Sequence, residues 1–369
     1  MMTMKEIFEE IQSSGGLTPS RRLRDIAQRF PDQVAFRDKR YGVWNEITYG
    51  EFWTQVQYVT CALNFFGVEK TDKVAIHSEN RPEWLIADIG IQALGGISVG
   101  LYPTNPPAEV KYLLSHSESK ILFAEDQEQV DKALEVIQDV PNLSKIIYFE
   151  EKGLFRYESD KLMRWDEFLK IGKEEFEKNK DFPNFCIDEI KSDDVALMIY
   201  TSGTTGPPKA SMLSHGNMEW TASIIPDLSF TPNISNPEYL SYLPLCHVFG
   251  RLVDEIIAIN SIGTINFAES IDTVQRDLAE IQPSIFPAVP RILERMHAGT
   301  LVRMKDASKL KQILFQLASF FGNITAKRRL KNPNDIIAKI TNFIAQILAF
   351  RSLRKKLGLL NVDNRSEEH

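Results

Sequence analysis

Between Lys73 and Phe149 the chain spells KVAIH (Lys73–His77), PEWLIADIGIQA (Pro82–Ala93), KILFA (Lys120–Ala124) and KIIYF (Lys145–Phe149). The three short apolar runs, bounded by polar residues, have the length and composition of buried strands. Pro82–Ala93 reads as a helix, with Pro82 in its first turn and Trp84, Leu85, Ala87 and Ile91 on one side. A second helical pattern after KILFA runs through Val130, Ala133, Leu134 and Ile137. Strand, helix, strand, helix is the mark of a parallel sheet covered by helices.

Working outward, Val195–Tyr200 (VALMIY) is another apolar strand, with further strands expected at Tyr239–Leu243, Gly263–Phe267 and Ser284–Phe286. The polar stretch Glu150–Asp194 lies between, with a helix-like mixed-charge run, Asp166–Lys180, and then Pro183. The expected organisation is a first α/β subdomain over 1–150, a connection with some helix over 151–194, a second α/β subdomain over 195–360 and a tail over 361–369. The expected fold class is α/β, with two largely parallel sheets covered by helices. Near the end, Asn334 or Asp335 can cap a helix whose apolar positions include Ile336, Ile337, Ile340, Phe343, Ile344, Ile347 and Leu348. It closes with Lys355, Lys356 and Gly358, residues suited to a helix C-terminus.

The composition, 43% hydrophobic and 25% charged over 369 residues, is that of a globular chain with a sizeable core. The cysteines Cys61, Cys186 and Cys246 are far apart and match no metal-ligand spacing, so a reducing, cytoplasmic setting is expected. A net charge of −7 gives no reason to expect nucleic acid as a partner. Charge is uneven, however: Leu301–His369 holds 14 Lys/Arg against 5 Asp/Glu. Such a segment is either a solvated helix surface or a face for peripheral membrane contact or for a partner. Met1–Ser14 has no signal-peptide core, and the uncharged stretch Ile89–Ala108 is too rich in Gly and Pro to span a bilayer.

The chemistry concentrates in Tyr200–Asn217, YTSGTTGPPKASMLSHGN. Gly203 and Gly206 let backbone approach a ligand closely, hydroxyls and successive N–H groups suit an anion, and Lys209 adds a cation after the stiff Pro207-Pro208 pair. A surface loop rich in Ser, Thr and Gly is the alternative reading. Its position after an apolar strand, ahead of Met212–Leu213 and a helix capped by Asn217, favours a polyphosphate cradle. The P-loop pattern G-x-x-x-x-G-K-[ST] is not met, because two prolines separate Gly206 from Lys209 and Ala210 follows.

This run resembles the phosphate-binding signature of the adenylate-forming (AMP-binding) superfamily. Asn80–Trp84 (NRPEW), Gly95–Asn105 (GGISVGLYPTN), Leu243–Arg251 (LPLCHVFGR) and Phe286–Met296 (FPAVPRILERM) resemble its long-chain fatty acyl-CoA synthetase branch. The resemblance extends from about Leu23 to about Leu360. It implies that Thr201 helps hold Mg²⁺ and that Ser202, Gly203, Thr204, Thr205 and Gly206 wrap the phosphates of ATP, with Lys209 at the loop exit. His247 would then be a catalytic residue beside the acyl carboxylate and adenylate, and Phe249 would line the acyl pocket. On its residues alone, a single His after Pro244-Leu245-Cys246 reads first as a structural histidine. Cys246 is expected to pack.

The implied reaction joins a fatty acid to coenzyme A through an acyl-adenylate. The family continues into a Tyr-Gly-x-Thr-Glu motif, a ribose-binding Asp and a lid domain with a catalytic Lys, none of which follows Leu360 here. The expectation is a C-terminally truncated ligase that lacks a C-terminal polypeptide and is crippled alone. The alternatives are an inactive nucleotide- or acyl-binding remnant and a nonfunctional gene fragment.

Overall fold

The computed structural model describes residues 18–201, 206–224, 236–332 and 334–362. Helix α1 (Pro19–Arg29) starts at Thr18, whose side chain accepts from Arg21 N, and leads to strands β1 (Val34–Arg40) and β2 (Val43–Thr48). The turn between these strands has positive φ at both Tyr41 and Gly42, as a tight two-residue hairpin requires. Thr48 and Glu51 then form a reciprocal capping box that opens α2 (Tyr49–Phe65).

The stretch that sets the fold follows: β3 (Lys73–His77), α3 (Pro82–Ala93), β4 (Ile97–Leu101), α4 (Pro107–Ser117), β5 (Ile121–Ala124), α5 (Gln127–Val136) and β6 (Lys145–Tyr148). Two findings differ from the sequence reading. Strand β4 lies inside the glycine-rich Gly95–Asn105 segment and pairs in parallel with β3. Helix α3 has no solvent side, because all twelve of its residues are buried.

The chain continues through β7 (Leu162–Arg164), α6 (Trp165–Lys178), α7 (Phe182–Asp188), β8 (Val195–Thr201), β9 (Lys209–Ser214) and α8 (His215–Ile224). The large sheet has the order β7-β6-β5-β3-β4-β8-β9. Its pairs are parallel except β8–β9 at one edge. Its inner strands β3, β5 and β8, buried on both faces, read as near-continuous apolar runs, and each fully buried Val, Ile or Leu is worth roughly 1.5–3 kcal/mol.

The expected division at 151–194 is therefore corrected. Strand β8 hydrogen-bonds to β4, and β7 extends the same sheet at its other edge. Helix α6 stays with this layer, with Phe168 stacked on Phe66 and Phe176 edge-on to Tyr58. Asn217 does not cap α8. Ser214 does, accepting from Asn217 N, while the Asn217 side chain reaches back to Ser214 N.

Strand β10 (Glu238–Ser241), helix α9 (Val248–Arg251), a π-helix over Leu252–Ala258 and β11 (Thr264–Phe267) come next. Strand β11 pairs in parallel with β1, which pairs antiparallel with β2. The compact units run over Met1–Pro226 with Ser241–Phe267, and over Asp227–Leu240 with Ala268–His369.

The second unit holds α10 (Val274–Ile281), α11 (Pro290–Lys305), α12 (Lys309–Arg329), α13 (Ile336–Ala345) and α14 (Arg351–Leu357). The strand expected at Ser284–Phe286 is a single bridge, Tyr239 to Ile285. Asp335 caps α13 by accepting from Ala338 N, and Gly358 ends α14 with φ +78°. A Cβ at Gly358 would lie 2.1 Å from Leu278 O, so both conformation and contact call for glycine. Helix Ile336–Leu357 is long and apolar enough to cross a membrane by length and composition. Ile336, Ile340, Phe343 and Ile347 are each more than half exposed, at spacings of four and three that align them on one face. Met1–Ser14 and residues 363–369 of the tail lie outside the described residues.

Candidate functional site

Thr201 ends β8 and Lys209 begins β9, and the two are register partners across the hairpin. Both are exposed. Gly206 is exposed too, with φ +89° and open space around the Cβ it lacks. Ser202, Gly203, Thr204 and Thr205 lie outside the described residues. Ala210 is an ordinary strand residue, paired with Tyr200 and packed against the core cluster beneath the sheet. A hydroxyl and an ammonium thus flank the segment at the carboxyl end of β8, the end where open α/β sheets bind ligands.

His247 lies at the N-terminus of α9, and its Nδ1 accepts from Phe249 N at 3.1 Å. That bond occupies Nδ1, so a neutral ring carries its proton on Nε2 and presents a donor outward. His247, Val248 and Phe249 are exposed, while Leu245 and Cys246 before them are buried. Burial pushes the Cys246 thiol up to about 12, which keeps it protonated and makes it packing.

The turn that carries His247 is fixed by polar groups on distant segments. Asn80 Nδ2 donates to Leu243 O at 2.7 Å and to Ser241 Oγ, and Asn80 Oδ1 accepts from Leu245 N at 3.0 Å. Arg251 Nε donates to Leu245 O at 3.1 Å. The guanidinium is buried, donates to Asp88 Oδ1 at 2.7 Å and to Ser98 Oγ, reaches Glu255, and sits 4.6 Å from the centre of the Trp84 ring. Gln92 donates to both Asp88 and Glu255.

Two buried carboxyls, Asp88 and Glu255, face the buried Arg251 cation, and a third, Asp254, is buried nearby on Ser241. Burial, reinforced by the Asp88 charge, pushes Glu255 well above the usual carboxylate range. Burial pushes Asp254, which accepts from Ser241 Oγ, up to about 7. Asp254 and Glu255 are adjacent on the π-helix Leu252–Ala258, which is buried on nearly every side.

The two predicted site segments meet on strand β4. Gly100 pairs with Ile199, two residues before Thr201. A Cβ built on Gly100 would lie 2.8 Å from Cys246 Cα, so the His247 turn packs directly on that glycine. Sequence reasoning singled out Thr201, Lys209 and His247 but not Asn80, Asp88, Arg251 or Glu255 as their supports. One signal was present: Arg251, Asp254 and Glu255 interrupt an otherwise apolar run, GRLVDEIIAI. Among the described residues no cluster of three His, Cys, Asp or Glu could hold a metal.

The chain is 29% identical over 361 residues to a long-chain-fatty-acid–CoA ligase, ACSBG2, of Xenopus laevis, covering 95% of this chain and 47% of that protein. It is 32% identical over 290 residues to long chain acyl-CoA synthetase 4 of Arabidopsis thaliana, covering 75% and 41%. The chain thus spans about half the length of the curated relatives it matches. Among solved structures it resembles coronafacic acid ligase of Pectobacterium brasiliense, with TM-score 0.63, 18% identity and coverage of 79% and 53%. The adenylation domain of a Mycobacterium chelonae carboxylate reductase gives TM-score 0.61 at 18% identity, covering 94% of this chain and 53% of that one. These structures share the fold. Residues 23–332 match the AMP-binding enzyme family, and the chain is a member of it.

Proposed function

We propose that the chain serves ATP-dependent ligation of a long-chain fatty acid to coenzyme A. A fatty carboxylate oxygen bonds to the α-phosphate of ATP and pyrophosphate leaves. The thiol of coenzyme A then bonds to the acyl carbon, loses its proton and releases AMP. The observation that supports this reading is the convergence on β4 of the Thr201–Lys209 stem and the His247 turn. It brings a polyanion-suited segment and an outward imidazole donor to two sides of one strand.

In this reading Thr201, Ser202, Gly203, Thr204, Thr205 and Gly206 hold the phosphates and Lys209 offsets their charge. Mg²⁺ would bind the phosphates with the Thr201 hydroxyl as a protein ligand, which fits an ion that keeps several waters and takes few protein groups. The ion supplies charge neutralisation on the phosphate oxygens. His247 Nε2–H donates to the carboxylate or to the acyl-adenylate carbonyl, with Phe249 against the acyl chain. Such aligned donors act mainly by electrostatic stabilisation.

Calorimetry with MgATP tests the assignment. Thr201→Val with Lys209→Ala should abolish binding, and unchanged affinity would count against the phosphate site. His247→Ala should weaken a long-chain carboxylate and spare MgATP.

The free cysteines support a cytoplasmic setting. The apolar stripe on α13, set among basic residues, supports peripheral contact with an anionic membrane. Co-sedimentation with anionic but not neutral vesicles, lost in Ile340→Ser/Phe343→Ser, is the expected result.

A further inference from the structure

We propose that Tyr112 and His116 of α4 are positioning residues that hold both ends of the hairpin segment between β8 and β9. The inference deepens the phosphate-site reading and rests on it for its functional consequence. Four residues apart on one helix, the two side chains project from the same face. Tyr112 Oη donates to Pro208 O at 3.0 Å, on the residue just before β9. His116 Nδ1 hydrogen-bonds the hydroxyl of Tyr200 at 2.8 Å, on the residue just before Thr201. The rings also touch in series, Tyr112 with His116 at 5.4 Å and His116 edge-on to Tyr200 at 5.7 Å.

Both ends of the segment are therefore fixed by one helix, and the need for it follows from the sheet. Strand β9 lies at the edge, pairs only with β8 and has mostly exposed or half-buried side chains. Its first residue, Lys209, is exposed, and an edge strand frays most easily at its end. The Pro208 carbonyl precedes the ladder, so the Tyr112 hydroxyl supplies a bond the sheet does not. Tyr200 is buried and its hydroxyl stays protonated, pushed up to about 12 by burial, so it can bond His116 across the ordinary pH range. With Tyr200 and Pro208 fixed, Thr201 and Lys209 stay side by side, preorganised for a polyphosphate.

The test uses the full chain, with Tyr112→Phe, His116→Phe and the double variant. Ser115→Ala, on an exposed position of the same helix, is the control. Amide hydrogen exchange over 209–213 should quicken by about fivefold in each single variant, the usual net effect of one hydrogen bond, and not in the control. MgATP affinity, by calorimetry, should fall about tenfold in the double variant, while dodecanoate affinity and the thermal midpoint stay put. Unchanged exchange over 209–213 would overturn the clamp. So would faster exchange with unaltered MgATP affinity, or equal losses of MgATP and dodecanoate binding with a lowered midpoint. A wild-type chain that binds no MgATP would instead overturn the phosphate-site reading, and the exchange measurement alone would then decide the clamp.

Discussion

The two segments that flank β4 are held in opposite ways. The Leu243–Phe249 turn rests on buried groups: Asn80 and Arg251 bond its carbonyls and amides, and Gly100 admits its backbone. The stem of the β8–β9 hairpin ends in exposed Thr201 and Lys209. The first arrangement fixes one imidazole rigidly at the cost of buried charge. The second sets an exposed hydroxyl and an exposed ammonium side by side, anchored through Tyr200 and Pro208 to one helix.

Breaking the first region should have the largest effect. Arg251→Met strands Asp88 as a buried, unpaired carboxylate and should lower unfolding stability by about 3–5 kcal/mol in urea titrations. A loss under 1 kcal/mol would mean that the network is wetter than the structure shows. Asp88→Asn in the same background should recover part of the loss, since it removes the stranded charge.

The Asp254 carboxyl offers a pH reading of the same region. Its native value of about 7 lies above the ordinary 3.8, so the folded state holds the extra proton between these values. Stability from this group is fully present below about pH 4 and is lost as pH rises to about 7, at up to about 1.4 kcal/mol per pH unit. The buried imidazoles His77 and His215, both lowered by burial to about 4, change stability in the opposite sense between about pH 4 and 6.5. The informative quantity is therefore the difference between wild type and Asp254→Asn. It should shift in favour of the variant from pH 4 to 7 and stay constant above. A flat difference would show that Asp254 is already ionised in the folded state at low pH.

Gly100→Ala places a methyl against Cys246 backbone and should cost about 1–3 kcal/mol. The smallest stability effect belongs to the second region. Lys209→Ala should change stability by less than about 0.5 kcal/mol while weakening MgATP. A large loss of stability would mean that the hairpin is as firmly built in as the His247 turn.

Much of the fold was legible in local pattern. Strands β3, β5, β6 and β8 are short apolar runs, and α13 to α14 carries its Asp335 cap and Gly358 stop in plain view. Strand β4 was not legible, because its glycines resemble loop chemistry until Cys246 is seen against Gly100. The expected boundary at 151–194 failed for a related reason: polarity marks an exposed connection, but pairing of β8 with β4 is decided across nearly a hundred residues of chain. The site divides the same way. The Thr201–Lys209 segment announces itself by composition. The Arg251–Asp88 bond spans 163 positions and leaves no local trace beyond charges in an apolar run.

The π-helical segment after the His247 turn carries a consequence for length variation. Leu252–Ala258 holds more chain per turn than an α-helix would. Removing one residue there would let the segment rewind as ordinary α-helix with the turns on either side kept in place, whereas the same cut in a regular α-helix would rotate everything beyond it by about 100°. A deletion after Glu255 would leave Arg251 and its partners facing inward, with the wide turn taking up the missing residue. This stretch should therefore tolerate the loss of one residue better than the regular helix α3, which is buried along its whole length.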